Sequence, residues 1–508
     1  MIGWLDAWRK RSPKLGGGDL DDARRLADAE RAAGDVPDGC AWLDDRTVSD
    51  VDLPLVFRAV DRTSTPLGAQ ALWRWLVAPA QRLDVLARRE RRLAALADPA
   101  LRDRVHAAIA GQTANEAPLL PRLLWEPTRP PPRRLGFAVL ALALIGCAIA
   151  SALVAPPLLV AVIVLFGVNV VVDDWTGRRL AAQGHAIEAL VRRLAAIDRA
   201  LRLAEVHDPA IARDLAAFAR LRKRTLWLSI RDPFAIADLV RAGLLVRVLL
   251  LGSFLHQIAR ERARLQRLVL WLGELDAVAS VAIVRTERAD ARVPRLEAGA
   301  RRIAATELVH PAVVDAVGND LAIARGLIIT GSNMSGKSTF LRAIAINAIC
   351  AQALHTTFGA WHAGLFRVFA VMRIADATEA GASTYATEVA ATGALVAAAE
   401  ISSPPALFVI DEPFRGTSPT LRVPIVVATL DFLSRDHLAV AATHDLEVAA
   451  QVDAAFLRGY FCEPDDAAAG EFDHKLRTGV SPASNALQLL IRAGYPAALI
   501  AAVRDRMA

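Results

Sequence analysis

Residues 135–172 run for 38 positions without one charged side chain. At about 20 residues per crossing, that is enough for two passes through a bilayer. Pro156 and Pro157 lie at its middle, and a proline pair removes backbone donors and breaks a helix. The pattern therefore predicts two transmembrane helices joined by a tight turn at residues 155–157. The second has only the sixteen positions from Pro157 to Val172 and includes Asn169, so it is expected to be short or tilted. A hairpin buried in a large soluble core would also be apolar on all sides. Soluble core helices rarely run so far without a polar face, which favours the bilayer. Arg133 and Arg134 precede the run and Arg178 and Arg179 follow it. Basic flanks at both ends place both ends on the cytoplasmic side of the inner membrane.

Elsewhere the pattern is of two kinds. Residues 41–110 and 180–305 are rich in Arg, Ala and Leu and almost free of strand signals, so they read as helices. Residues 239–255 look apolar, but Arg241 and Arg247 interrupt them, and an amphipathic or packed cytosolic helix is predicted there instead of a third span. After residue 306, short apolar runs at 327–329, 407–410 and 438–442 alternate with helical segments, the rhythm of an α/β domain with a largely parallel sheet. The expected organisation is a tail at 1–40, a helical core in two parts (41–132 and 180–305) interrupted by the hairpin at 133–179, an α/β domain at 306–465, and a C-terminal strand with helices at 466–508. The tail carries Trp4, Trp8, Arg9, Lys10 and Arg11 without an uninterrupted apolar stretch. It is thus not a secretory signal, and either an interfacial helix or an ordinary frayed one fits its composition.

The 508 residues hold 60 Lys plus Arg against 54 Asp plus Glu, a net charge of +6, with a pI near 9.5. That balance suits nucleic acid or an anionic membrane surface and chooses neither. The four cysteines, Cys40, Cys147, Cys350 and Cys462, match neither a metal-ligand spacing nor a disulfide framework, so a reducing cytosol is the simplest setting.

Candidate chemistry concentrates in the α/β part. The run from Gly326 to Thr339 reads GLIITGSNMSGKST: an apolar strand, a glycine-bounded loop and the start of a helix, which satisfies GxxxxGK[ST] in its required context. Gly331, Ser332, Asn333, Met334, Ser335 and Gly336 would curl backbone N–H groups around phosphate, Lys337 would reach the β and γ oxygens, Ser338 would ligate magnesium, and Thr339 would continue into the helix, whose N-terminus adds its positive dipole end. Some seventy residues on, an apolar strand ends in Asp411 and Glu412. Neighbouring side chains on a strand point to opposite faces, so Asp411 would serve the metal while Glu412 faces the γ-phosphate and polarises the attacking water. A third strand ends in Thr443-His444-Asp445, and the C-terminal ends of strands in such sheets are where ligands bind, which puts His444 beside the phosphate.

Taken together, these stretches resemble the MutS family of ATPases. The order T-G-x-N-M-x-G-K-S-T, S-T-[FY]-x-x-E, D-E-x-x-R-G-T-S and A-T-H is matched by residues 330–339, 383–388, 411–418 and 442–444. The likeness extends to Thr65-Pro-Leu-Gly68 with Trp73, and to Thr478-Gly-Val-Ser481. It implies an α/β P-loop NTPase domain of the ABC/MutS type and an all-α lever/core region, here carrying a predicted transmembrane helical hairpin. It also implies ATP and Mg2+ as cofactors, and a homodimer in which Ser383 touches the γ-phosphate held by the other subunit and Arg415 to Ser418 form a loop crossing the interface. His474 matches a position that stacks on adenine, although a plain strand-end histidine fits it equally. The aromatic residue that helps hold the base is replaced near Ala316 and Val317, which leaves adenine selectivity open, and Ser332 and Ser335 stand where Pro and Gly are usual. No N-terminal domain with a Phe-x-Glu wedge precedes the core, so mismatch probing is not expected.

The resulting expectation is a membrane-anchored, homodimeric ATP hydrolase that binds duplex or branched DNA without mismatch specificity. Its rival is an ATP-driven remodeller or scaffold for an unknown protein partner in the bilayer. An ABC-type transporter is disfavoured, because two spans alone form no translocation pathway and no LSGGQ-like segment lies between the two nucleotide motifs.

Overall fold

The computed structural model describes residues 20–111, 118–126, 134–219, 236–331, 335–372, 384–461, 473–480 and 494–507. The residues singled out in the tail, the P-loop residues Ser332, Asn333 and Met334, and also Arg133, Ser383, Cys462 and Ser481, lie outside the described residues.

The helical part is organised around one long helix, Arg262–Glu287. It contains no proline and buries Leu265, Leu268, Val269, Leu272, Leu275 and Val278 along one side, the spacing of an apolar helix face. That face lies against the helix Pro66–Val77. Close approach depends on small residues: a Cβ on Gly273 would come within 2.8 Å of the Leu67 carbonyl, and one on Gly68 would collide with the Asp276 carboxylate. Thr65 caps the second helix by accepting from Gly68 N at 3.0 Å, with Pro66 at the first helical position, where its missing N–H costs nothing. Asp276, fully buried, accepts from Thr65 N at 2.8 Å and Thr65 Oγ1 at 2.7 Å. Burial pushes its carboxyl above the ordinary range. The Thr65-Pro-Leu-Gly68 motif is thus the seam between two helices far apart in sequence. Helix Leu20–Ala32 packs on the same Pro66–Val77 helix, tied by Glu30 to Arg74.

Hydrogen bonds and ion pairs fasten this helical body to the α/β domain, and two sets of them bear on the main sheet and its flanking helix. Arg285, near the end of the long helix, pairs with Glu90 through two nitrogens at 2.9 and 2.7 Å and donates to the His355 carbonyl at 2.6 Å. Burial would raise the Glu90 carboxyl, but hydrogen bonds from the His355 ring, 2.8 Å away at Nδ1, and from Arg285 hold it down at about 2. Thr47 and Asp50 accept from the amides of Ala370 and Met372 at 3.0 and 2.8 Å, so the short helix Asp45–Asp50 covers the free edge of the main sheet.

That sheet has six strands in the order Leu476–Thr478, Phe456–Phe461, Gly326–Thr330, Leu438–Ala442, Ala406–Asp411, Arg367–Val371. All neighbouring pairs are parallel except the first. The central strands read as continuous apolar runs because helices cover the sheet; Gly326–Thr330 and Leu438–Ala442 are buried at every position. A four-stranded sheet, in the order Arg295–Glu297, Ala360–Gly364, Ile303–Leu308, Asn319–Ile323, stands beside it.

Residues 135–172 form two helices, Arg134–Leu153 and Leu159–Arg179, joined through a 3-10 turn at Pro156–Leu158. Among the described residues these two are long and apolar enough to cross a membrane, and only 11% of each candidate span is buried. Leu142, Val160 and Val171 are each about two-thirds exposed. The second helix is longer than the apolar run that predicts it, 21 residues reaching Arg179. It continues because its polar side chains turn inward. Asn169, Asp173 and Thr176 are its buried residues, Asn169 donates to the Gly243 carbonyl at 2.8 Å, and Asp173 pairs with Arg247 at 2.8 Å. The stretch 239–255 folds not as one helix but as parts of two, Ile236–Gly243 and Val246–Arg260. They are separated at Leu245, which has a left-handed backbone, φ 54°. Gly243 sits where any side chain would strike Phe166, so the bend lies against the second hairpin helix.

Candidate functional site

Strand register brings the chemistry together. Ile329 is level with Ala442, and Ala442 with Asp411, while Thr443 N donates to the Ile329 carbonyl at 3.0 Å and Glu412 N to the Ala442 carbonyl at 2.9 Å. Three parallel strands therefore end side by side, and the residues following each share one rim of the sheet. This is the rim where phosphate ligands sit in open α/β sheets.

On the first strand, Gly331 and Gly336 have φ of 132° and 108°, conformations that favour glycine, and Gly336 caps the helix Lys337–Ala353. Lys337 is buried and donates from Nζ to the Gly331 carbonyl at 2.5 Å, folded over the loop whose amides would hold phosphate. Ser335 is buried, Ser338 half-buried, and Thr339 exposed on the first turn. On the second strand, Asp411 receives a hydrogen bond from Ser338, and burial raises its carboxyl above the usual range. Its Oδ1 is buried without a hydrogen-bond partner. A desolvated carboxylate with one oxygen unsatisfied, next to a serine hydroxyl, is an oxygen donor set suited to a magnesium ion, and these two residues fit that role.

Glu412 follows with a left-handed backbone, φ 49°, which costs about 1–3 kcal/mol in a residue with a side chain. The turn sends its carboxylate to His444, whose Nε2 lies 2.5 Å from Oε1, while Arg415 Nη1 lies 3.4 Å from Oε2. The hydrogen bond from His444 is the main reason that the Glu412 carboxyl lies below its ordinary range. An ionised carboxylate oriented by an imidazole at a phosphate-binding rim is the arrangement expected of a group that polarises water.

Residues 327–508 match the MutS domain V family. The chain is 31% identical over 261 residues to the DNA mismatch repair protein MutS of Haloquadratum walsbyi, covering 48% of this chain and 27% of that protein. It is 32% identical over 264 residues to that of Natronomonas pharaonis (49% and 30%), and 31% identical over 274 residues to that of Geobacillus thermodenitrificans (50% and 29%). Residues 327–508 thus form a MutS domain V. The chain's matched stretch spans less than a third of the length of each of these MutS relatives.

Within this MutS-family domain, His474 lies against the P-loop. Its Nδ1 is 3.1 Å from the Ser335 carbonyl, and a side chain at Gly336 would come within 3.2 Å of that nitrogen. Asn319 donates to the carbonyls of both Val317 and His474, at 3.1 and 3.0 Å. It joins the segment that lacks the expected aromatic to the histidine assigned to the base. Three residues given no role in the sequence also belong here. Asn319 is one. Arg422 and Asp445 are the others, an ion pair with contacts of 2.7 and 2.8 Å that ties the helix Pro419–Leu433 to the residue after His444. Asp445 was legible only as the neighbour of a histidine, and Arg422 had no signal at all, because the pair is made across 23 positions.

Proposed function

We propose that this chain is a magnesium-dependent ATPase that works as a homodimer anchored in the cytoplasmic membrane, with the ATPase and both ends of the hairpin on the cytoplasmic side. The observation that carries the ATPase is the shared rim of Lys337, the Ser338–Asp411 pair with its unsatisfied buried oxygen, and the Glu412–His444 pair. Gly331 to Thr339 would bind the phosphates of ATP, with His474 at the base. Ser338 and Asp411 would hold magnesium, which when bound neutralises charge on the β and γ oxygens. Glu412 takes the proton side of the attacking water, and His444 keeps its carboxylate ionised and aimed. Glu412→Gln should bind ATP as tightly as wild type while losing at least a hundredfold in turnover, and Lys337→Ala should lose binding. Turnover by Glu412→Gln near the wild-type rate would remove Glu412 from this role.

The homodimer is supported by exposed apolar side chains on the elements that carry or follow site residues, Val389, Leu421 and Leu446, and by the exposure of Arg415. Closure of two such faces would complete each site with Ser383 and residues 415–418 of the other subunit. The membrane reading is supported by the exposure of both apolar helices, since a hairpin inside a soluble core would be covered.

For the target of the ATPase, the net charge of +6 and the DNA mismatch repair names of the relatives favour duplex or branched DNA held through phosphates. Such contacts carry no pairing information, and no mismatch preference is expected of them. The second reading, a remodeller or scaffold for a membrane protein, is favoured by one feature of the helical arms. Arg88, Arg104, Arg202 and Arg267 are all engaged by carboxylates of the same chain, which leaves less free charge for phosphate. A duplex-binding isotherm across a salt series separates the two, because phosphate contacts give a steep negative slope of affinity against salt.

A further inference from the structure

We propose that Glu388 is a positioning residue for ATP turnover: its buried carboxylate holds Gly416 and thereby sets the loop that aims Glu412. The inference rests on the ATPase reading of the site and adds a residue to it. Glu388 lies on the helix Thr384–Ile401 and is 2% exposed. Its two oxygens accept from Gly416 N at 3.3 and 3.1 Å. Among the described residues this one amide is the partner of both oxygens. A buried carboxylate is costly to desolvate, and a single backbone N–H is a poor return on that cost if chain stability were the only use.

The loop it holds needs holding. Between the end of the strand at Asp411 and the helix that starts at Pro419, Glu412 and Phe414 both have left-handed backbones, φ 49° and 56°. Strained residues of this kind persist only where their surroundings over-determine them. Among the described residues, three of the contacts that hold the loop come from outside it. Glu412 N donates to the Ala442 carbonyl, the Phe414 side chain is buried in the core beneath the sheet, and Glu388 takes Gly416 N. With the last removed, the segment relaxes toward ordinary backbone angles, and the Glu412 carboxylate leaves the position in which His444 meets it at 2.5 Å. The P-loop follows a different strand and is not touched by this change. Glu388 therefore governs turnover and leaves nucleotide affinity alone.

The test uses the full-length protein in detergent, with ADP affinity and steady-state ATP hydrolysis as readouts. Glu388→Ala should lower kcat by about tenfold or more, with KM and the ADP dissociation constant within about twofold of wild type; tenfold corresponds to about 1.4 kcal/mol. Glu388→Gln, whose side-chain carbonyl still accepts from Gly416 N, should restore most of the rate. Glu388→Asp keeps the charge but falls one methylene short, so it should behave as Glu388→Ala does and carries the same test if the alanine variant fails to fold. Wild-type kcat in Glu388→Asp, or a Glu388→Gln variant as slow as Glu388→Ala, would overturn the proposal. Glu412→Gln assayed alongside separates the two readings. If it is inactive while Glu388→Asp is normal, only the positioning role fails; if Glu412→Gln is active, the site reading fails with it.

Discussion

If the two apolar helices lie in lipid, charges placed on their exposed faces should release the protein from the membrane. Leu142 and Ile163 are 66% and 64% exposed and sit near the middles of the two apolar runs. At the centre of a bilayer an aspartate costs about 3 kcal/mol on the insertion scale, and the lost Leu or Ile removes about 0.5 kcal/mol of favourable transfer. Leu142→Asp with Ile163→Asp thus opposes insertion by about 7 kcal/mol. The same two substitutions on a water-facing surface would change stability by about 0.5 kcal/mol or less each, so the two settings differ by roughly an order of magnitude in energy. The assay is fractionation of expressing cells, followed by a high-salt wash of the membrane pellet. Wild type should stay in the pellet until detergent is added, and the double variant should appear in the supernatant with its ADP affinity intact, since the P-loop lies in a different part of the fold. Wild type in the supernatant without detergent, or a double variant as firmly bound as wild type, would refute the lipid-facing hairpin.

Mixing Ser383→Ala chains with Lys337→Ala chains should restore part of the ATPase, because one of the two interfacial sites in a mixed dimer then has both an intact P-loop and an intact serine. No rescue in verified mixed dimers would mean that Ser383 does not act across the interface. His310, buried and accepting from Ala312 N at 3.2 Å, has its pKa lowered from 6.5 to about 4, chiefly by burial. As pH falls, the unfolded chain takes up this proton first, so the contribution is complete above pH 6.5 and is lost between pH 6.5 and 4. At 1.36 kcal/mol per unit the loss is about 3 kcal/mol at most. His310→Asn, which offers an acceptor to the same amide, should flatten that part of the profile of thermal midpoint against pH; an unchanged acid limb would show that His310 is not the titrating group.

The sequence by itself determined the parts of this protein that are local. The P-loop depends on two glycines whose backbone angles few other residues adopt, on the apolar strand before them and on the helix that Gly336 caps, all within some thirty residues. The hairpin is likewise written in hydropathy and in a proline pair, because the partition of a side chain between water and an apolar phase needs no knowledge of the rest of the fold. Tertiary structure decided everything that depends on where a buried charge finds its partner. Asp276 meets Thr65 across 211 positions, and no periodicity announces that pair. Asp173 and Arg247 carry the second hairpin helix beyond the apolar run that predicts it. The direction of the Glu412 carboxylate is the clearest instance. Alternation along a strand predicts that it faces away from Asp411, but its aim at His444 comes from a left-handed turn, φ 49°, outside the strand geometry. Such a turn is unfavourable on its own and meets groups from other elements, among them the Ala442 carbonyl, the core around Phe414 and the carboxylate of Glu388. Short-range preference selects the strand and the loop. The free energy that keeps a strained residue in place comes from contacts that exist only once the chain has folded.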